Sequence, residues 1–519
     1  MDERLNVDFW DGETDRAEAD PKRSANHASF GTVTHSSSVV DLRDKLEKAQ
    51  FDRFVPVHRS LRVLDLGGGA GRFAIWLAPR VAHVTVVDTS SSLLDVGRRE
   101  ASRRQVSNVS FVECSALDYR PEEPFDLVLV MGLATHLASA ELDALMRLCS
   151  EALVPGGRLV LKEPVSTDGT LRHDERHDAS GDLVYRAWFR PGEDYTRAAA
   201  PHLQPLHRSP TCAHPIPRFL GGTNEAAESV GNGPAARLLS TVAPFWVATD
   251  PLLQAVEQRV RSHAQTRWLL ADVPVLQELF VFVKPLDAQP ARTGDPALSV
   301  VVIAYNEDEG LVGMVDELMA TLREGTVSFE IVLVDDGSTD ETGSIMESLE
   351  KEHQGVTVRR HTPNRGIGGA LRAGFDAASG NYLTWLPADS QIPPGVVLEL
   401  FDRRRLGAIV TTVYRERADH WMRNVISKSL NAMIWLRTGH VAKSGGNYLM
   451  SRATWEEYGP RGDDSMMLST AFRNNVRNAG HLVIEHEIDC RARAAGRSKV
   501  LNPTTIFRTV AGLLRAGER

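Results

Sequence analysis

Short apolar runs that end in Asp or Gly recur along this chain, and they constrain the fold more than any other feature. The first half contains "RVLDLGGGAGR", "VTVVD" and "FDLVLVMG", and the second half contains "SVVVIAYNE", "FEIVLVDDGSTDET" and "YLTWLPADSQ". Each run has the length of one buried strand, and helix-like segments separate the runs. Alternating strands and helices predict parallel sheets, which bind ligands at the carboxyl ends of their strands.

The same pattern begins twice, on either side of a predicted linker. Residues 286–297, "LDAQPARTGDPA", contain turn residues and no apolar periodicity. The predicted fold class is therefore α/β, with two Rossmann-like domains in tandem at residues 1–285 and 298–519. The stretch 166–275 is less regular. We expect a polar loop at residues 166–182, then amphipathic helices, as an insertion that covers a substrate before the last strand.

Composition limits the class of protein. The chain has 519 residues, of which 42% are hydrophobic and 24% charged, as in soluble globular proteins. It has no apolar run near the roughly 18 residues of a membrane span. The acidic N-terminal stretch does not predict a signal peptide, and four scattered cysteines favour a reducing compartment. We therefore expect a cytoplasmic location and no disulfide framework.

Charge is distributed unevenly. The net charge is −9, yet residues 401–519 contain 20 Lys and Arg against 11 Asp and Glu. A basic C-terminal part suggests an anionic ligand there, although a solvated basic surface explains the count equally well. The acidic remainder argues against nucleic acid as a partner.

In the first half, two strand ends are suited to a nucleotide cofactor. Glycines follow the first strand at alternate positions, and glycine lets the backbone approach a ligand closely. Asp88 ends the next strand, where a carboxylate can accept hydrogen bonds from ribose hydroxyls. A dinucleotide site is the first alternative, but the third glycine of its fingerprint would fall at Arg72.

Residues 40–165 resemble class I S-adenosylmethionine-dependent methyltransferases. The stretches that carry the resemblance are "VLDLGGGAGR", "VECSALDY", "PFDLVLVMGLATHL" and "ALVPGGRLVLKEP". The resemblance implies that S-adenosyl-L-methionine is the cofactor. It also implies a binding site formed by Asp65, Gly67, Gly69, Gly71, Asp88, Ala116 and Asp118.

Methyl transfer requires little chemical assistance from the protein, because the sulfonium donor is already activated. The main task of the protein is to align the acceptor with the methyl group. A base helps when the acceptor is a hydroxyl. His136 and Glu163 lie where such a base is expected, and His136 is the catalytic candidate, although it can instead cap or pack at a helix start. His173 and His177 have a spacing that could hold a metal, but solvated loop side chains explain them more simply.

The second half resembles inverting family-2 glycosyltransferases with the GT-A fold. The stretches are "LSVVVIAYNEDEGL", "FEIVLVDDGSTDET" and "NRGIGGALRAGFDAASGNYLTWLPADSQ", and "EHEIDCRARAAGRSK" continues the likeness. The likeness is strongest to the branch of dolichol-phosphate mannosyltransferases and other polyprenyl-phosphate glycosyltransferases. It implies a nucleotide-sugar donor bound by Tyr305, Glu307, Asp335, Asp336, Arg365 and Asp389.

One motif departs from that branch. The branch has Asp-x-Asp-x-Gln, and this chain has Pro387, Asp389 and Gln391 at those three places. Mg²⁺ is commonly held by one or two carboxylates together with phosphate oxygens and waters. We therefore expect an altered but working site for Mg²⁺ or Mn²⁺ at Asp389 and Gln391, with much of the coordination supplied by the donor.

The resemblance also gives the basic C-terminal part a role, because arginines of that branch meet the acceptor phosphate. The candidates are Arg415, Arg417, Arg423, Arg493 and Lys499. Arginine binds phosphate through paired hydrogen bonds, and an ionised phosphate needs no base. "VAKSGGNYLMSR" matches the branch loosely, so a sugar hydroxyl remains open as the acceptor, with Asp464 as the candidate catalytic base.

The sequence thus predicts a bifunctional enzyme. It would transfer a sugar to a polyprenyl-phosphate or glycan acceptor and methylate within the same pathway, a link that rests on the fusion alone. An amphipathic helix in residues 504–517 would pack on its own domain or contact the inner membrane surface peripherally, without a transmembrane helix. One alternative is a methyltransferase-like domain that only senses or scaffolds. Another is a protein or nucleic-acid methyltransferase with an attached sugar-transfer module.

Overall fold

The computed structural model describes residues 37–166, 169–177, 180–211, 275–287, 295–414, 445–460, 468–479 and 481–491. The chain divides into two compact units, residues 1–285 and residues 286–519. Each unit contains one seven-stranded sheet with helices on both faces. The prediction of two α/β folds in tandem is therefore confirmed.

The sheet of the first unit has the strand order β3-β2-β1-β4-β5-β9-β8. Strands β1 to β5 are parallel, β9 is antiparallel to β5, and β8 is antiparallel to β9. The carboxyl ends of the five parallel strands therefore meet at one edge. The bounds are β1 Arg62–Leu66, β2 His83–Asp88, β3 Val109–Glu113, β4 Phe125–Met131, β5 Leu153–Ser166, β8 Gln204–Thr211 and β9 Val275–Val283.

Helices cover both faces of this sheet, because its strands are apolar on both sides. Phe51 of α1 and Phe73 of α2 pack on one face, and Met146 of α4 and Tyr195 of α5 pack on the other. The helices are α1 Ser37–Phe54, α2 Arg72–Leu77, α3 Ser91–Arg103, α4 Ser139–Ala152 and α5 Gly192–Ala199.

One expectation for residues 166–275 is wrong, and one strand there was not predicted. The predicted polar loop contains β6 (Arg172–His177), which forms an antiparallel hairpin with β7 (Leu183–Phe189). Nearly every residue of β6 is solvent-exposed, so its sequence shows no apolar alternation. The edge strand β8 also lies in this stretch, and its two prolines are tolerated because an edge strand need not donate every N–H. The predicted helices there lie outside the described residues.

The sheet of the second unit has the strand order β12-β11-β10-β13-β15-β14-β16. Only β15 runs against the other strands, so six carboxyl ends share one edge. The bounds are β10 Leu298–Ala304, β11 Phe329–Asp335, β12 Val356–Arg360, β13 Tyr382–Pro387, β14 Ile409–Tyr414, β15 Gly445–Ser451 and β16 Val483–Ile488.

Leu318 of α6, Met346 of α7 and Leu400 of α9 pack on one face of this sheet, and Phe375 of α8 and Phe472 of α11 pack on the other. Within the described ranges, no helix is long and apolar enough to cross a membrane. The helices are α6 Leu311–Glu324, α7 Thr342–Glu352, α8 Gly366–Ala377, α9 Gly395–Asp402, α10 Arg452–Tyr458 and α11 Leu468–Asn478.

We predict that Gly374→Ala destabilises the second unit. A Cβ at Gly374 would lie 2.2 Å from Cγ1 of Val301, because α8 packs directly on β10. Overpacking of this kind costs about 1–3 kcal/mol. Gly313→Ala on α6 is the matched control, since its Cβ would meet nothing within 4 Å, and it should be neutral or stabilising by up to about 1 kcal/mol. Urea unfolding measures both, and equal midpoints would contradict the packing argument.

Candidate functional site

A glycine-rich turn joins β1 to α2 at the carboxyl edge of the first sheet. Gly67, Gly69 and Gly71 have φ of 67°, 51° and 68°, in the left-handed region that other residues rarely adopt. The Gly67 N–H donates to the Val87 carbonyl at 2.8 Å, which folds the turn back towards β2. A Cβ at Gly67 would lie 2.9 Å from Cβ of Leu133, so the turn also passes close to the residues that follow β4.

Asp88 ends β2 and holds this turn. Its Oδ2 accepts the Gly69 N–H at 2.8 Å, and its Oδ1 accepts the Ser90 N–H at 2.9 Å. An ionised carboxylate has about four acceptor positions. Asp88 is therefore able to hold the turn and still accept hydrogen bonds from a ligand's hydroxyls.

The turn after β3 lies beside Asp88. The Cys114 N–H donates to the Asp88 carbonyl at 3.0 Å, and the Asp118 N–H donates to the Ser115 carbonyl at 3.0 Å. Ala116 is 9% exposed, while Asp118 is exposed. The structure thus brings Ala116 and Asp118 to the same edge as Asp88.

Asp65 near the end of β1 is 2% exposed. Burial raises the pKa of Asp65 to about 7, against a lowering by the nearby guanidinium of Arg72. Among the residues that the structure describes, none makes a hydrogen bond to Asp65 Oδ1. A buried acceptor without a donor is costly, so this oxygen is suited to a cationic or N–H group of a bound ligand.

Arg72, at the place of the missing third glycine, anchors α1 to the turn. Its guanidinium lies 2.6 Å from Asp44 and 2.8 Å from Glu47, and the Lys162 ammonium of β5 lies 2.9 Å from Glu47. All four of these side chains are nearly buried. Breaking one member of such a network leaves an uncompensated buried charge. No pattern in the sequence predicted this network, since its members are far apart along the chain.

A buried carboxylate holds the turn after β4. Glu163 at the end of β5 is 0% exposed. Its oxygens accept the N–H groups of Gly132 at 3.1 Å, Ala134 at 2.8 Å and Thr135 at 3.1 Å. Burial raises the pKa of Glu163 to about 8, and the three N–H donors act in the opposite direction. Glu163 was a candidate base from the sequence, and in the structure its carboxylate contacts the backbone of this turn.

His136 lies in the same short 3₁₀ turn, Ala134–His136. Its Nδ1 is 3.1 Å from the carbonyl oxygen of Arg186 on β7. The Arg190 guanidinium, 2% exposed, donates to the carbonyls of Ala134 and Leu137. The hairpin β6–β7 is therefore fastened to the turn that carries His136.

In the second unit, the turns after β10 and β11 are bound to each other. The Asn306 N–H donates to Ser338 Oγ at 2.9 Å, and Asn306 Oδ1 accepts the Thr339 N–H at 2.8 Å. Glu307 follows and donates its N–H to Thr342 Oγ1 at 2.8 Å. Tyr305, before them, is 37% exposed at the sheet edge.

Asp335 at the end of β11 is 0% exposed. Its Oδ1 accepts the Ser338 N–H at 2.8 Å, and its Oδ2 lies 2.9 Å from Nε of Arg360. The Asp335 carboxylate thus contacts its own turn and strand β12 in this conformation.

Asp336 caps the start of α8 and is 5% exposed. Its carboxylate accepts the N–H groups of Arg365 at 2.9 Å and Gly366 at 2.8 Å, and Nδ1 of His361 lies 2.9 Å from it. The Arg365 side chain is exposed at the same edge.

Asp389 lies in a turn directly after β13. Strand β13 ends at Pro387, and Ser390 has φ of 57°, which is uncommon for a residue with a side chain. The Asp389 carboxylate accepts the Gln391 N–H at 3.2 Å, and the Gln391 carbonyl accepts the Arg491 N–H at 2.9 Å. The segment after β16 is thereby tied to this turn.

The described residues contain no preformed cluster of metal ligands. Within the described ranges, no three His, Cys, Asp or Glu side chains cluster in a way that could hold a metal ion. His173 and His177 both lie on β6 and are exposed. Asp389 and Gln391 supply one carboxylate and one amide oxygen, which suits a cation whose other ligands come from a bound diphosphate.

Two family models match the chain. The model described as "Methyltransferase domain" matches residues 63–157, and "Glycosyl transferase family 2" matches residues 299–459. The chain contains a methyltransferase domain and a family 2 glycosyl transferase domain. Both family resemblances stated from the sequence are confirmed.

Curated relatives match the glycosyl transferase domain. The chain is 34% identical over 155 residues to the undecaprenyl-phosphate 4-deoxy-4-formamido-L-arabinose transferase of Proteus mirabilis, covering 29% of this chain and 46% of the relative. It is 36% identical over 154 residues to the transferase of the same name from Serratia proteamaculans, again covering 29% and 46%. The chain therefore spans about half the length of these relatives.

Solved structures resemble the chain weakly. The [4+2]-cyclase SpnF has a TM-score of 0.31 at 21% identity, covering 47% of this chain and 82% of that one. The N-methyltransferase NodS of Bradyrhizobium japonicum has a TM-score of 0.28 at 18% identity, covering 39% and 90%. Similarities this weak support no conclusion about function.

Several predicted site residues of the glycosyl transferase domain lie outside the described residues. They are the candidate base Asp464 and the acceptor candidates Arg415, Arg417, Arg423, Arg493 and Lys499. The predicted C-terminal helix lies outside them as well.

We predict that Asp88→Ala weakens binding of S-adenosylmethionine to the methyltransferase domain by about 1.5–3 kcal/mol, because a charged hydrogen-bond acceptor is lost. Calorimetric titration of the full chain measures the affinity. Asp95→Ala on α3 is the matched control, since that aspartate is exposed and paired with Arg98. An Asp88→Ala variant that folds and binds as tightly as the control would show that Asp88 does not contact the ligand.

Proposed function

We propose that this chain is a bifunctional enzyme. Its glycosyl transferase domain moves a sugar from a nucleotide-sugar to an acceptor with inversion, and its methyltransferase domain methylates a component of the same glycan or glycolipid. The observation that supports this proposal is that each domain has its own polar turns at the carboxyl ends of its parallel strands. In one, Asp88 holds the glycine turn, and in the other, Asp389 follows β13.

The methyltransferase domain suits S-adenosylmethionine, which supplies an activated methyl group when bound. Asp88 would accept from the ribose hydroxyls, and the glycine turn would pass close to the ligand without side-chain clashes. Asp65 Oδ1, which has no protein donor in the described residues, would accept from the ligand's ammonium group. Ala116 and Asp118 would contact the adenine. The remaining task of the domain is to align the acceptor.

The glycosyl transferase domain would bind the nucleotide-sugar at its carboxyl edge. Tyr305 and Arg365, which are exposed, would contact the donor directly, while Asp335 and Asp336 would fix the turns that shape the site. Glu307 follows Tyr305 in the same turn. Asp389 and Gln391 would hold Mg²⁺ or Mn²⁺, which neutralises charge on the departing nucleoside diphosphate when bound.

We propose a polyprenyl phosphate as the acceptor, because the named relatives are undecaprenyl-phosphate transferases. An ionised phosphate oxygen would attack the anomeric carbon, the bond to the nucleoside diphosphate would break, and no base would be needed. Such an acceptor would place the enzyme at the inner membrane surface. A sugar hydroxyl is the alternative acceptor and would require a base such as Asp464.

We predict that Asp389→Ala abolishes sugar transfer. The loss should exceed the loss of donor binding, because the charge on the leaving diphosphate grows as the sugar departs. The measurement is release of nucleoside diphosphate from a panel of UDP-, GDP- and dTDP-sugars with undecaprenyl phosphate, against Mn²⁺ concentration. Asp402→Ala at the exposed end of α9 is the matched control and should leave release unchanged. Near-normal release by Asp389→Ala, or an unmodified enzyme indifferent to chelator, would refute the metal role.

Pro387→Asp tests the same site from the opposite direction. It adds a carboxylate at the end of β13, two residues before Asp389. We expect turnover to persist and the Mn²⁺ concentration for half-maximal rate to fall, because a second carboxylate strengthens the cation site. An unchanged or higher Mn²⁺ requirement would mean that residue 387 does not face the cation.

A further inference from the structure

A buried carboxyl group, that of Glu163, and a buried guanidinium, that of Arg190, enclose the turn that carries His136. Glu163 accepts three N–H groups of residues 132–135, and Arg190 donates to the carbonyls of Ala134 and Leu137. Both side chains are almost inaccessible, at 0% and 2% exposure. Because the N–H side and the carbonyl side of one turn are both held, the turn has little freedom to tilt or unwind.

We propose that Glu163 and Arg190 are positioning residues that present Nε2 of His136 as the general base for methyl transfer to a hydroxyl acceptor. This inference rests on the proposed methyltransferase function and names the acceptor class of that site. His136 is the catalytic residue, whereas Glu163 and Arg190 act through the turn.

The hydrogen bond to Arg186 determines which ring nitrogen can act. A backbone carbonyl only accepts, so Nδ1 of His136 must carry the hydrogen that points at the Arg186 oxygen, 3.1 Å away. In the neutral ring, Nε2 is then the unprotonated nitrogen. The hairpin β6–β7 thus selects the tautomer, and the enclosed turn fixes the direction of the ring.

The surroundings keep the ring neutral. Burial lowers the pKa of His136, against a raising by the hydrogen bond to the Arg186 carbonyl. The ring centroids of Tyr185 and His136 lie 5.4 Å apart in an edge-to-face arrangement, and burial raises the pKa of Tyr185 to about 12, so its phenol stays uncharged. The Arg186 guanidinium is paired with Glu175 at 2.8 Å. The Glu163 and Arg190 side chains bond to backbone N–H and carbonyl groups of the turn.

The balance of the reaction identifies the acceptor class. The acceptor oxygen bonds to the methyl carbon, the carbon–sulfur bond breaks with its electrons returning to sulfur, and the hydroxyl proton moves to Nε2 of His136. S-adenosylhomocysteine and a protonated imidazole result. An ionised carboxylate or phosphate has no proton to give and would make no use of Nε2, and a neutral amine attacks with its own lone pair before it loses a proton. A hydroxyl is therefore the acceptor that gains most from a base at Nε2.

The test is Glu163→Gln. One amide oxygen can keep the bonds to Gly132 and Ala134, but the amide NH₂ then faces the Thr135 N–H, next to His136. In full-length protein labelled with ¹³C and ¹⁵N in histidine, with His136 assigned through His136→Gln, NMR should show a pure Nδ1–H tautomer that titrates below the ordinary histidine range. In Glu163→Gln a mixture of tautomers should appear, with titration closer to about 6.5.

Glu141→Gln is the matched control. Glu141 also accepts a backbone N–H, that of Ala138 at 2.7 Å, but it lies outside the enclosed turn. Its His136 signals should equal those of the unmodified chain. If Glu163→Gln does not fold, Arg190→Lys takes its place as the test variant. Lysine keeps the charge but has fewer hydrogen-bond donors, so the His136 signals should change as expected for Glu163→Gln. Unchanged His136 signals in a folded Glu163→Gln or Arg190→Lys variant would overturn the positioning role.

Methyl transfer gives the second readout. Labelled methyl groups from S-adenosylmethionine would be followed onto methyl α-D-glucopyranoside, D-glucosamine and D-glucuronate. We expect alkali-stable ether products, a loss of about 10²–10⁴-fold in His136→Gln, and about 10²-fold in Glu163→Gln from misplacement. Label released as methanol by mild alkali, or found on nitrogen, would overturn the hydroxyl class. Absence of any transfer and of cofactor binding in the unmodified chain would instead refute the proposed methyltransferase function, and the NMR result would still decide the positioning role.

Discussion

Carboxylates that accept backbone N–H groups hold the turns at both carboxyl edges, and the candidate sites depend on them. Asp88 holds the glycine turn and Glu163 holds the turn after β4. Asp335 and Asp336 do the same for the turn after β11 and the start of α8. The first turn of a helix and a left-handed loop both leave N–H groups without backbone partners. One carboxylate can accept hydrogen bonds from several of these N–H groups and thereby holds the loop against the sheet.

This arrangement explains what the sequence could and could not reveal. Apolar runs ending in Asp predicted the strands and the edge at which ligands bind, because a strand's periodicity and its terminating residues are local. Asp335 and Asp336 are neighbours in sequence, yet one faces strand β12 and the other caps α8. Which partner each would find depends on chain segments up to 30 residues away. Strands β6 and β8 were missed for a related reason, since exposure and edge position remove the apolar alternation that marks a buried strand.

Arg72 occupies the position of the third glycine of a dinucleotide fingerprint and binds helix α1 to this domain. A glycine there would let α2 approach a neighbouring backbone, as in dinucleotide sites. The guanidinium of Arg72 is instead buried and forms ion pairs with Asp44 and Glu47 of α1. Lys162 forms a further ion pair with Glu47, so two cations face two carboxylates. Helix α1 is therefore part of the methyltransferase domain, because buried ion pairs bind it there. Its docking also places positive charge near Asp65, which partly offsets the burial that raises the pKa of Asp65.

The two edges differ in how much of a binding site the protein completes by itself. Around His136, N–H and carbonyl groups of the turn are bound by the buried side chains of Glu163 and Arg190, so the proposed base would be oriented before a ligand arrives. Around Asp389, the described residues supply one carboxylate and the Gln391 amide in a turn with a left-handed serine, so the proposed cation would take most of its ligands from the donor. A cation that needs the donor's phosphates for most of its coordination binds weakly alone. Donor and cation should therefore bind to the glycosyl transferase domain together, whereas the methyltransferase domain needs only its cofactor and acceptor.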